Sequence, residues 1–294
     1  MNQETILVSA IQSSPQEREN RRANLDYILE TLRAEAAGGS QLVVFPEVSL
    51  TNFFRHGSGG VKSLWEQLSV EVDGPDIEEI ADLVRALGVY TVVGFNERAP
   101  ILGVVYNSAA LIGPEGIVGI SRKQNFPGIE KLYYTPGPRL ETFDCALGRV
   151  GVVICYDTLF PEIARHHFRN GVDILICVSS FWRGGAKGGS GDPVTKAKLW
   201  KELPFVTAVQ NQAFVVSANC SGTLDLGPSI GEWERLGMSQ IVSPHAGVLA
   251  FCEHNEPQIL RAELKRSELL EARFNYRFLA ESQLGARAIG AIES

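Results

Sequence analysis

Apolar residues along this chain fall into two alternating textures. Residues 6–11 form a short apolar run of strand length, and residues 20–37 then carry Leu25, Ile28, Leu29, Leu32 and Ala36 at helical spacing before Gly38-Gly39. Residues 42–45 are a second apolar run, closed by Pro46-Glu47. Residues 76–87 are a second helical pattern, opened by Gly74-Pro75 and stopped by Gly88, and residues 90–95 a third strand. This order predicts an α/β sheet. From Tyr106 the texture changes: runs at 106–112, 117–123, 140–145 and 150–154 are separated only by turn residues, which predicts an antiparallel portion. The alternation then returns with a helix over 161–170, a strand over 173–179, a long helix from 192 or 193 to 212 and a strand over 213–220. Strands at 240–243, 248–251 and 258–264 and a short helix at 267–274 complete it. Strand–helix alternation that appears before Tyr106 and again after Pro161 predicts two mixed sheets with helices on their outer faces, an α/β fold with four layers in the order α-β-β-α. No change of composition marks a linker, so residues 1–275 read as one domain and 276–294 as a C-terminal tail, a candidate for packing on a partner subunit.

Composition narrows the class. Apolar residues make up 45% of the chain and charged residues 21%, the mix of an ordinary globular protein. A net charge of −7 argues against nucleic acid or an anionic membrane as the main partner. No apolar run reaches membrane-spanning length, and the first residues lack the basic-then-apolar order of a secretory signal. Five cysteines, with no Cys-x-x-Cys spacing, fit reduced thiols in the cytoplasm better than disulfides or a zinc ribbon. His166-His167 points its two rings apart on a helix and reads as packing or surface, so no metal is expected.

Chemistry enters at three strand ends. The 42–45 run ends at Glu47, the 117–123 run at Lys123, and the β-branched 150–154 run at Cys155, just before a helix opened by Pro161-Glu162. Strand ends of this kind are where α/β proteins build sites. A carboxylate, an ammonium and a thiol suffice for acyl transfer: the thiol attacks, the carboxylate moves protons and the ammonium stabilises the developing negative charge. Each residue also has a plain structural reading: Cys155 as a small buried hydrophobe, Glu47 as a helix cap, Lys123 as a solvated charge beside Arg122. Position in the chain does not by itself decide between them.

The segments FPEVSLTNF, SRKQNFPGIEKLYYTPG and GVVICYDTLFPEIAR resemble the three signature segments of the nitrilase superfamily of carbon–nitrogen hydrolases. NQAFVV followed by Asn219, and GMSQIV at 237–242, resemble two further strands of that family, so the likeness runs roughly over residues 5–275. The resemblance implies a catalytic triad of Glu47, Lys123 and Cys155. It implies that Glu130 sits beside the triad, orienting the lysine and holding substrate or water, and that no metal or organic cofactor is used. Tyr134, Tyr156, Phe181 and Trp182 are candidate supporting and substrate-binding residues. Arg183 is either a bidentate ligand for a substrate carboxylate or an exposed charge, and the glycine-rich 184–191 run is a loop near the pocket without a phosphate-binding pattern.

Tyr156-Asp157 after the cysteine is similar to amidases, whereas nitrile-hydrolysing members usually have Trp-Glu there. The expected reaction is therefore hydrolysis of a small amide through a Cys155 thioester. The alternatives are an N-carbamoyl or nitrile hydrolase using the same triad, a catalytically silent member of the family, and an unrelated α/β binding protein with a structural Cys155. A homodimer through the helices starting at Pro161 and Asp192 is implied by the resemblance.

Overall fold

In a computed structural model, which describes residues 1–15, 20–57, 59–185, 187 and 191–282, the predicted alternation is present. The chain opens with β1 (Thr5–Gln12), α1 (Arg21–Ala37) and β2 (Leu42–Val44). A short α2 (Gly60–Ser63) and α3 (Pro75–Leu87) lead into the meander β3 (Tyr90–Arg98), β4 (Val105–Gly113) and β5 (Gly116–Arg122). Next come β6 (Thr142–Cys145), β7 (Gly148–Ile154), α4 (Pro161–Arg169), β8 (Ile174–Ser179), β9 (Trp182–Gly185), α5 (Pro193–Asn211) and β10 (Phe214–Asn219). The chain continues through β11 (Thr223–Asp225), β12 (Glu232–Arg235), β13 (Gln240–Ser243), β14 (Gly247–Phe251), β15 (Gln258–Lys265) and α6 (Arg266–Asn275).

Local chemistry explains the helix ends. The Asn20 side chain accepts from the Ala23 N–H and caps α1. Pro75 starts α3, Asp76 and Glu78 lie in its first turn, and Gly88 ends it in the left-handed conformation. Asp192 caps α5 through the Thr195 N–H.

Among the described residues the strands form two six-stranded sheets, ordered β15-β1-β2-β3-β4-β5 and β14-β13-β10-β8-β7-β6. The centre of each is parallel (β1, β2 and β3; β7, β8 and β10) and the outer pairs are antiparallel; of these, β4–β5 and β6–β7 lie in the stretch that the change of texture at Tyr106 predicts, and β15–β1, β10–β13 and β13–β14 lie outside it. Successive strand residues point to opposite faces. Val8, Ala10, Val44 and Val92 thus meet Val152, Ile154, Ile176 and Val216 in one core between the sheets. On the first sheet's outer face, Val43, Phe45 and Val93 lie under Ile28 and Leu32 of α1 and Ile80 and Val84 of α3. On the second, Val153, Leu175 and Val215 lie under Ile163 of α4 and Ala208 of α5. Burial on both faces explains why these strands read as continuous apolar runs. The result is the four-layer α-β-β-α sandwich.

A three-stranded sheet, β11-β12-β9, is added to the sandwich and has no counterpart in the predicted elements. Its strands are only three or four residues long, and β12 pairs with its neighbour β11 on one side and with the distant β9 on the other. Gly184 and Gly185, read as the start of a loop, belong to β9: a Cβ on Gly185 would lie 2.1 Å from the Trp233 ring, so the glycine is what lets β12 close over it. Ala186 and residues 188–190 of that run, and residues 283–294 of the tail, lie outside the described residues. Among the described residues no helix is long and apolar enough to cross a membrane.

Candidate active site

β2, β3 and β5 of the first sheet run in one direction, and β7 of the second ends against them, so residues just past these strands share one edge of the sandwich. Glu47 follows β2 in a tight turn in which Val48 has φ +47°, a conformation that β-branched residues rarely take. The turn lies directly on Gly94 of β3, where a Cβ would sit 2.5 Å from the Val48 nitrogen and 2.9 Å from the Glu47 Cα. Lys123 immediately follows β5, and its N–H donates to the Asn107 carbonyl at 2.9 Å. Cys155 immediately follows β7 at φ +50° and opens a single 3-10 turn, Cys155–Leu159. A non-glycine residue held in the left-handed region at a strand end is the kind of local strain that marks functional turns.

Three of the predicted residues make direct contacts. The Lys123 ammonium donates to Glu47 Oε1 at 2.8 Å and to Glu130 Oε2 at 2.7 Å, with the lysine and Glu47 fully buried. Glu47 accepts two further bonds, from Asn107 Nδ2 at 2.7 Å and from the Ser180 backbone N–H at 2.8 Å. Its carboxylate is therefore fixed from three sides, by β4, by the lysine and by the end of β8. Glu130 sits in the single 3-10 turn Gly128–Leu132, and the Lys123 ammonium lies 5.9 Å from the centre of the Phe126 ring.

This crowding of charge sets the protonation states. Burial alone would depress the Lys123 ammonium, but the carboxylates of Glu130 and Glu47 outweigh it and hold the lysine well above its usual value. Burial pushes the Glu130 carboxyl up to about 7, against the pull of Lys123 and with the Glu47 charge adding to the rise. The Cys155 thiol, buried and beside the charge of Glu47, is pushed well above its usual value, with Lys123 only partly opposing. The resting thiol is therefore neutral, and for it to act as a nucleophile a base would have to take its proton. Asp157, two residues on, accepts from the backbone N–H groups of Gln124 at 2.9 Å and Asn125 at 2.7 Å. It ties the cysteine turn to the chain just after the lysine.

Cys155 and Glu130 line a cavity of about 560 Å³. Its wall is largely aromatic: Phe53, Phe54, Tyr156, Phe181, Trp182 and Trp233. Phe181 stacks on Trp200 at 4.7 Å and Trp182 meets Phe53 edge-on at 5.9 Å. The predicted Tyr156, Phe181 and Trp182 are thus on the wall. Tyr134 stands behind it, buried, donating to Asn96 Oδ1 at 2.7 Å and packed edge-on against Phe54. Arg183 is not on the wall and pairs with Glu234 at 3.4 Å across β9 and β12.

Several residues of this neighbourhood escape a reading by motif. Asn107 and Ser180, which hold Glu47, have only one trace in the sequence: each is polar at the edge of a run that is otherwise apolar. Trp233 and Leu226 reach the cavity from the β11–β12 hairpin. Arg235 looks like a surface charge in the sequence EWER, yet it is fully buried. It donates to Ser180 Oγ at 3.1 Å and the Ser221 carbonyl at 3.1 Å, and its guanidinium lies 5.1 Å from the centre of the Trp182 ring. It thereby braces both the wall and the serine whose N–H serves Glu47.

The family model for carbon-nitrogen hydrolases matches residues 7–274. A protein named nitrilase from Pyrococcus abyssi is 28% identical over 263 residues, covering 88% of this chain and 89% of its own. An (R)-stereoselective amidase from a Pseudomonas species is 30% identical over 261 residues, covering 89% of this chain and 86% of its own. Among solved structures, a carbon-nitrogen hydrolase from Helicobacter pylori is alike in fold, with a TM-score of 0.80 at 21% identity over 95% of this chain and 96% of that one. A family match over nearly the whole length, joined by a relative at 30% identity, makes this chain a member of the carbon-nitrogen hydrolases of the nitrilase superfamily, hydrolases acting on carbon–nitrogen bonds.

Proposed function

We propose that the protein hydrolyses a primary amide to a carboxylate and ammonia, with Cys155 as nucleophile, Glu47 as general base and Lys123 as oxyanion stabiliser. The observation that carries this reading is the Lys123 ammonium gripped by two carboxylates beside a neutral thiol on the wall of a cavity. Glu47 takes the Cys155 proton as the sulphur attacks the amide carbon. Negative charge moves to the carbonyl oxygen, where the Lys123 ammonium and the Tyr156 backbone N–H meet it; one such donor is worth about 3 kcal/mol in the transition state. Glu47 then gives its proton to the leaving nitrogen, the C–N bond breaks, and ammonia departs from a Cys155 thioester. Water attacks the thioester as Glu47 takes its proton, the C–S bond breaks, and the proton returns to the sulphur. Glu130 holds Lys123 in place throughout.

Support for amides over nitriles and N-carbamoyl compounds comes from the amidase relative and from the Tyr156-Asp157 pair, in which Asp157 anchors the backbone after Lys123. The test is ammonia release from matched amides, nitriles and N-carbamoyl compounds, with mass spectrometry for an acyl adduct on Cys155. Amide turnover with a thioester adduct is the expected result; release from nitriles or N-carbamoyl compounds alone overturns the amide reading.

The reading includes a homodimer across α4 and α5 in a reducing cytoplasm. It is supported by the five free cysteines and by Phe205, Val206 and Val209, apolar side chains of α5 left partly exposed. Sedimentation of the wild type at twice the monomer mass, shifting to the monomer on Phe205→Glu, is the expected outcome.

A further inference from the structure

The cavity is much larger than a small aliphatic amide needs. A space of about 560 Å³ lies within the range of pockets that enclose drug-sized ligands, about 300–1,000 Å³. Its largely aromatic wall offers few polar groups to a short polar chain, but broad faces to a ring or an apolar chain.

Charge is distributed unevenly along this wall. Among the described residues it carries three charged side chains, Glu130, Lys187 and Lys196. Glu130 is already engaged by Lys123 at 2.7 Å. Cys155 is 4% exposed and marks the closed end, whereas Lys187 is exposed and Lys196 half-buried, which places the two lysines toward the mouth. A lysine stem laid on apolar surface with its head in water is common. Here each ammonium has a carbonyl partner, Lys187 that of Pro228 and Lys196 that of Arg183 at 3.5 Å, and the half-buried Lys196 is the one withdrawn in part from water. Burial accordingly pushes its pKa below the usual lysine value. The chain as a whole carries a net charge of −7, so a local pair of cations beside an apolar wall is a departure from the surface average.

We propose that the mouth of the cavity is an anion subsite centred on Lys196 and assisted by Lys187, and that the preferred substrate is a primary amide whose aryl-bearing apolar body separates the scissile group from a distal carboxylate. The carboxylate replaces the water that Lys196 has lost, the ring lies along Phe181, Trp182 and Trp233, and the amide reaches Cys155. The proposal rests on the amide reading for its chemistry but not for its binding.

The test uses hydrocinnamamide and its para-carboxy derivative, two amides of one scaffold that differ by a distal carboxylate. The carboxylated amide should be favoured in kcat/KM by about tenfold, the scale of one hydrogen bond to a charged group. The preference should shrink as salt screens it. It should fall to within about twofold in Lys196→Met and persist in Lys196→Arg, which keeps the charge. No preference in the wild type, or a preference that survives Lys196→Met combined with Lys187→Met, overturns the proposal. Calorimetry of both amides on the Cys155→Ala protein, with and without Lys196→Met, measures the subsite without turnover. Tighter binding of the carboxylated amide that Lys196→Met abolishes, with no ammonia released from either amide by the wild type, keeps the subsite and overturns the amide reading instead. Turnover of both amides at equal efficiency does the reverse.

Discussion

Cys177 lies on β8, and Cys155 stands just past the end of β7, its parallel neighbour. Val153 is the register partner of Cys177, and Cys155 is two residues further on. Both thiols are buried, and burial lifts both, Cys177 up to about 12 and Cys155 well above its usual value. Neither is an activated thiolate at rest. What separates them is the face and the company. Cys177 points to the outer face under α4, where its sulphur is bonded to the Thr158 hydroxyl at 3.0 Å. Cys155 belongs to the inner face, sits in a left-handed turn, opens on the cavity and faces a carboxylate–ammonium–carboxylate array. On the proposed mechanism, what makes Cys155 the nucleophile is a base nearby and a path for substrate, not a low resting pKa.

The largest effect that would sharpen this contrast is on turnover. Cys155→Ala should cost at least about 10⁴-fold in kcat while the fold survives, because a nucleophile acting as one unit with its base cannot be partly replaced. Ammonia release and circular dichroism read the two halves of that statement; a residual rate near wild type would dissolve the distinction between the two thiols.

Lys123→Met should come next, lowering kcat by about 10²–10³-fold through loss of oxyanion stabilisation. It also leaves Glu47 and Glu130 buried without the cation they share, at a cost of about 3–5 kcal/mol in stability. Denaturant unfolding measures that loss, which no change at Cys177 should approach.

The third test is a pH dependence. Glu130 loses its proton near 4.5 in the unfolded chain and at about 7 in the folded one, so between these values the folded state binds more protons. Stability therefore falls as pH rises through that window. Glu130→Gln should remove this decline in Tm between pH 4.5 and 7. A slope that persists unchanged would assign it to another group.

Cys177→Ala should have the smallest effect: about 1 kcal/mol from the missing sulphur and turnover within about twofold of wild type. A large loss of activity from this change would break the comparison from the other side.

The sequence carries some of this directly and some not at all. Strands buried on both faces are mostly apolar, so the apolar runs within β1, β3, β7 and β8 are legible in the sequence, whereas the buried Asn96 and Glu97 at the end of β3 are not. The positions of Glu47, Lys123 and Cys155 just past strand ends are legible in the same way. Their meeting is not, because the contact of Lys123 with Glu47 spans 76 residues and depends on the packing of one strand end on another. The β9–β11–β12 sheet left little trace because its strands have only three or four residues, lack an apolar run, and include β9, whose partner β12 is far away in sequence. Arg235 is the sharpest case: its neighbours Glu234 and Leu236 give no sign that the guanidinium is enclosed by Ser180, Ser221 and Trp182.

Gly94 carries a consequence for anyone who would borrow this chemistry. The segment FPEVSLTNF looks portable: it holds the glutamate and the turn that aims it. Yet the turn keeps its shape because β3 presents bare backbone beneath it, with the Pro46 carbonyl, the Glu47 Cα and the Val48 nitrogen all within 2.9 Å of where a methyl would stand. A graft that moved the nine residues onto a sheet with alanine or valine at the equivalent place would transfer the carboxylate and lose its aim. The smallest transferable unit is two adjacent strands, one contributing a side chain and the other the absence of one.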